Sequence, residues 1–162
     1  MARVGRVARN ASLMRVQTVS ADKTIGDHES GEIYFIDMSS NSVVLTLPTP
    51  KAGMYFKVII AVASHGEATY DFTLTTHDSD CDIQGPLVTA NSAATEAGGA
   101  YPAGIEHAGT SISRIILDSS AGAVNAGDYL ECVSDGTDWY VSGVITEGNK
   151  AAGTVTPNAS AV

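Results

Sequence analysis

From residue 31 onward the chain alternates apolar and polar residues with a period close to two, in short runs bounded by Gly, Pro, Asn, Asp and Ser. Side chains on a strand point alternately to opposite faces, so this pattern specifies half-buried strands, whereas a helical face would repeat every 3.6 residues. Strands are expected at 15–20, 32–37, 42–47, 55–63, 69–75, 112–117, 128–133 and 138–145, with shorter pieces at 82–84 and 87–89. Eight or more short strands separated by turn signals point to an all-β domain, an antiparallel β-sandwich or jelly-roll-like barrel. An extended N-terminal arm and a C-terminal tail flank it.

The punctuation supports this reading. "DMSSNS", 37–42, is a polar turn, and "LPTPKAG", 47–53, holds two prolines that cannot donate to a central ladder, so the chain is expected to fold back at both places. "MYFKVIIAVA", 54–63, is the longest apolar run and reads as a buried strand with Lys57 reaching solvent. Asp135-Gly136 lies between two alternating runs, a strong hairpin signal, because a two-residue turn needs positive φ where Asp and Gly tolerate it. With those two residues as the loop, Cys132 opposes Trp139 and Leu130 opposes Val141. Leu130, Cys132, Trp139 and Val141 then share one apolar face and anchor the core, with Cys132 acting as a small buried hydrophobe.

At 162 residues the chain is one domain long. Its 17% charged residues fall below the usual quarter, which favours strands and protein-covered surface over exposed helices. The net charge of −9 is unevenly placed: Arg3, Arg6, Arg9 and Arg15, four of the nine basic residues, precede the first acidic one, Asp22. A basic arm on an acidic body is expected to dock on an acidic partner or a neighbouring subunit, and the acidic body argues against nucleic acid. The arginine spacing also suits a short helix with Val4, Val7, Ala8 and Ala11 opposite, so the conformation of the arm stays open. The expected division is arm and first strand at 1–20, body at 21–146 and extended tail at 147–162. Within the body, 90–110 is an Ala/Gly-rich loop without period. No apolar run reaches about 18 residues and no secretory signal is present, so neither membrane insertion nor secretion is expected.

Little in the sequence promises chemistry. "HDSDCDIQG", 77–85, sets Asp78, Asp80 and Asp82 at alternate positions, but a calcium loop needs Gly at its sixth position and Glu at its twelfth, where this chain has Ile83 and Thr89. His28, His65, His77 and His107 stand in four separate polar or glycine-rich stretches without metal-type partners. Cys81 and Cys132 form no metal spacing, and nothing requires them to pair. No GxSxG elbow and no phosphate-binding glycine motif occurs. The expectation is therefore no enzyme, no catalytic residue, no metal and no cofactor.

The order of the pieces resembles a known module. "SGEIYFIDMSSNSVVLTLPTPKAGMYFKVIIA", "YDFTLTT", "IQG" and "AGDYLECVSDGTDWYVSG" are similar to a β-rich module of tailed-phage head-decoration and tail-fibre proteins, across about residues 30–145. The resemblance implies a structural virion protein on the outer surface of a capsid, a decoration or cement protein partnered with the major capsid protein and forming a trimer. It implies that Arg3, Arg6, Arg9 and Arg15 clamp onto the capsid, and that the tail from Gly148 makes contacts within the oligomer. A receptor- or glycan-binding fibre domain, with Tyr101 or Tyr140 stacking on sugars, is the alternative. Fibre domains usually belong to longer chains with a shaft, so a chain of this length starting at Met1 favours decoration.

Overall fold

The computed structural model describes residues 14–63, 70–78, 80–91, 101–105, 112–119, 124–147 and 155–158. Arg3, Arg6 and Arg9, His65 and His107 lie outside them. The described residues form β-strands and a single 3-10 turn at Asp27–Glu29. The strands are β1 (Val16–Val19), β2 (Lys23–Thr24), β3 (Ile33–Asp37), β4 (Val43–Thr46), β5 (Tyr55–Val62) and β6 (Phe72–Thr75). They continue as β7 (Ile83–Asn91), β8 (Tyr101–Ile105), β9 (Arg114–Leu117), β10 (Tyr129–Ser134), β11 (Trp139–Glu147) and β12 (Val155–Asn158).

Each of the eight expected strands has a counterpart, and the two short pieces at 82–84 and 87–89 are one continuous strand, β7. The period-two rule is visible in burial: Tyr34, Ile36, Phe56, Val58, Ile60, Phe72 and Leu74 are buried, while their chain neighbours are partly exposed. β8 falls within the 90–110 stretch read as a loop, and β12 within the tail.

Two mixed sheets result, ordered β1-β3-β5-β10-β11-β7-β8 and β12-β9-β6-β4-β2. The expected all-antiparallel pairing gives way to parallel ladders at β1/β3, β3/β5, β11/β7, β2/β4 and β4/β6. Over its first half the chain alternates between sheets, so strands that follow each other do not pair. "DMSSNS" and "LPTPKAG" accordingly carry the chain across to the other sheet instead of folding it back on its predecessor. Parallel neighbours need a crossover of a dozen or more residues, and here the strands of the opposite sheet supply it in place of helices. Alternation along a strand says which face is buried and nothing about which strand lies alongside, which is why pairing order was hidden.

Residues of both sheets enter one hydrophobic cluster, with Leu45, Phe72 and Ile115 from the smaller sheet and Tyr34, Phe56 and Trp139 from the larger. An aromatic series runs through it: the ring centroids are 6.2 Å apart for Tyr34 and Phe56 and 5.6 Å for Phe56 and Trp139.

Candidate functional site

Leu130, Cys132, Trp139 and Val141 are all buried on one face of the larger sheet. Their register differs from the expected one: Ser134 pairs with Trp139, Cys132 with Val141 and Leu130 with Gly143. The loop is therefore four residues, Asp135 to Asp138, and the pairing slides by two positions, which leaves every side chain on its predicted face. Asp135 explains the longer loop. Its Oδ1 accepts from the backbone N–H of Thr137 at 2.8 Å and of Asp138 at 2.9 Å, while Gly136 takes φ +107°. Those two amides hold the Asp135 carboxyl below its usual range, Asp138's first and Thr137's second.

The outward side of the same sheet carries a mostly apolar row. Thr18, Phe35, Ile59, Tyr129, Val144 and Val88 are consecutive cross-strand partners through β1, β3, β5, β10, β11 and β7. Phe35, Ile59, Tyr129, Val144 and Val88 are partly exposed beside buried neighbours, and exposed Thr18 precedes buried Val19, so this row faces away from the core. Beside it Lys57 meets Glu131 at 2.8 Å and lies 4.7 Å from the Tyr129 ring centroid. The exposed large hydrophobics, Met14, Val16, Val62, Val133 and Tyr140, all belong to strands of this sheet or immediately precede β1. The outward positions of the smaller sheet are richer in threonine, with Thr46, Thr73 and Thr75 beside Val44 and Ile116.

Arg15, just before β1, is docked on its own chain. Its guanidinium donates to the carbonyls of His28 and Ser30, both at 3.1 Å, and pairs with Glu32 at 3.3 Å. The arm is thus rooted at the edge of the larger sheet.

At the hairpin end, the segment between β6 and β7 packs beside the β10–β11 loop. Asp82 N–H donates to Asp138 Oδ1 at 3.1 Å, Gln84 Nε2 to Asp138 Oδ2 at 3.2 Å, and the Cys81 thiol to the Thr137 carbonyl at 3.1 Å. Backbone bonds close the junction, from Trp139 N–H to the Asp82 carbonyl at 2.9 Å and from Ile83 N–H to the Ile112 carbonyl at 2.7 Å. His77 is half-buried and pairs through Nε2 with Asp78, and one donor atom each from His77, Asp78 and Cys81 lie within 4.8 Å of one another. The clue in the sequence was the H-D-x-x-C spacing, which a search for alternating calcium carboxylates passes over. Burial pushes the Cys81 thiol up to about 11, and the charges of Asp78, Asp138, Asp82 and Asp135 add to the effect. Cys132 is likewise pushed up, to about 12, by burial first and by Glu131 second; both cysteines are free.

Compared with known proteins, no family model matches the chain, and no curated protein or solved structure matches it.

Proposed function

We propose that the chain is a structural virion protein that binds the outer surface of a phage capsid and stabilises it through buried interface, as a decoration or cement protein. The observation that carries this reading is the apolar row from Thr18 to Val88 across six adjacent strands of one sheet. In this reading the two sheets are the layers of a β-sandwich whose larger sheet presents its outward face to the capsid. Stable, specific interfaces bury roughly 1,200–2,000 Å² and need no reactive residue, only an apolar centre with a polar rim. Arg15 roots the arm beside that face, and Arg3, Arg6 and Arg9 reach on to acidic positions of the major capsid protein. The tail from Gly148 joins copies into a trimer. Virion capsids lacking the protein provide the test: the purified protein should co-sediment with them to saturation, and deletion of residues 1–14 should weaken that binding. Failure to bind capsids at any concentration would remove the proposal.

One observation favours a second reading. Tyr140 is 43% exposed, with its hydroxyl donating to Asp135 Oδ2 at 3.2 Å, an aromatic ring and a carboxylate side by side as in sugar-stacking sites. A fibre-type glycan-binding domain would bind oligosaccharides and lose that binding in Tyr140→Ala, with no affinity for capsids.

A further inference from the structure

We propose that His77, Asp78 and Cys81 form a binding site for a divalent transition metal of the zinc class, at the junction between the β6–β7 connection and the β10–β11 loop. This is independent of the capsid reading. The three donors lie within 4.8 Å of one another. A tetrahedral ion with bonds of about 2.0–2.3 Å sets its ligands roughly 3.5 Å apart, so rotamer adjustments of about an ångström close the site. The donor set is one nitrogen, one oxygen and one sulfur, which suits borderline-soft zinc and rejects calcium and magnesium, whose ligands are oxygens.

A second observation points the same way. Nε2 of His77 and the Asp78 carboxylate already face each other in direct contact, so two of the three donors meet before any ion is bound. An ion entering between them takes both as ligands in place of that contact. On binding, the Cys81 proton passes to buffer and the sulfur donates to the metal as thiolate. Binding as thiolate gives up the Cys81 thiol's hydrogen bond to the Thr137 carbonyl, while Asp82 N–H keeps its bond to Asp138, so the ion sits where the two loops meet. Asp78 is 48% exposed, so water would supply the fourth ligand from that side.

The test uses the full-length protein stripped of metal and titrated with cobalt(II), then zinc(II). The proposal expects one cobalt per chain, tetrahedral-intensity visible bands and a thiolate-to-cobalt charge-transfer band, all bleached by zinc. Cys81→Ser should abolish the charge-transfer band, and His77→Gln should weaken binding by roughly 100-fold or more. Because Cys81 is buried, Asp78→Asn and His77→Gln, at partly exposed positions, provide variants expected to keep the fold; in both, the zinc-induced rise in melting temperature should disappear. No cobalt spectrum in the folded protein, a charge-transfer band that survives Cys81→Ser, or zinc stabilisation that survives His77→Gln would each overturn the site.

Discussion

The indole of Trp139 packs against the ring of Phe56 at a centroid distance of 5.6 Å and an interplanar angle of 39°, tying β11 to β5 across the intervening strand β10. Both residues are fully buried. Trp139→Ala should therefore cost about 3–5 kcal/mol in denaturant unfolding. Trp139→Phe should cost clearly less: it keeps a ring against Phe56 and removes an indole N–H that has no acceptor among the described residues. Equal losses for the two variants would mean that this contact does not organise the sheet.

Gly85 and Gly53 separate backbone strain from steric clash. Both have positive φ, +123° and +84°, but a Cβ on Gly85 would lie 2.3 Å from the Val141 carbonyl oxygen, whereas one on Gly53 meets nothing within 4 Å. Gly53→Ala should cost roughly 1 kcal/mol, from strain alone. Gly85→Ala should cost at least about 2 kcal/mol, because β7 must move away from β11 as well. Thermal unfolding of the pair measures this difference, and indistinguishable melting temperatures would contradict it.

Acid stability should report the Asp135 turn. The Asp138 and Thr137 amides lower its carboxyl pKa in the folded chain below 3.8, so the group contributes stability above that pH and loses it as pH falls through the lower folded value. Asp37 is held down in the same way by the Ser39 amide. Asp128 runs the other way: burial raises its carboxyl, although it accepts from Thr146 and Asn125, so ionising it opposes folding. The melting temperature of Asp135→Ala should lie below wild type at pH 6, and the gap should narrow below about pH 4. A constant gap across that range would rule out the amide contacts as its cause.

How much of this was legible depends on the range of the interaction. The face of each strand follows from neighbours two residues apart, so Leu130, Cys132, Trp139 and Val141 are placed correctly even though the hairpin slides by two positions. The length of the loop depended on Asp135 capturing two amides, which competes with the two-residue turn that Asp-Gly favours by itself. Partnership between β1 and β3, or β11 and β7, is a choice among distant strands that alternation cannot encode. β8 and β12 lie in Ala/Gly-rich stretches where composition weakens the strand signal. The apolar outer row appears only when registers through six strands are combined. His77, Asp78 and Cys81 are close in sequence, yet only the fold shows that their donors converge.

The outward face of the larger sheet is the centre of the functional account, and Ile59 sits in the middle of its apolar row, between Phe35 and Tyr129. Ile59→Glu places a charge there without touching the core, so the far-ultraviolet spectrum and cooperative unfolding should persist. Co-sedimentation with capsids lacking the protein is the decisive measurement. Wild type should bind saturably and Ile59→Glu at least about tenfold more weakly. Wild-type affinity in the folded variant would contradict it.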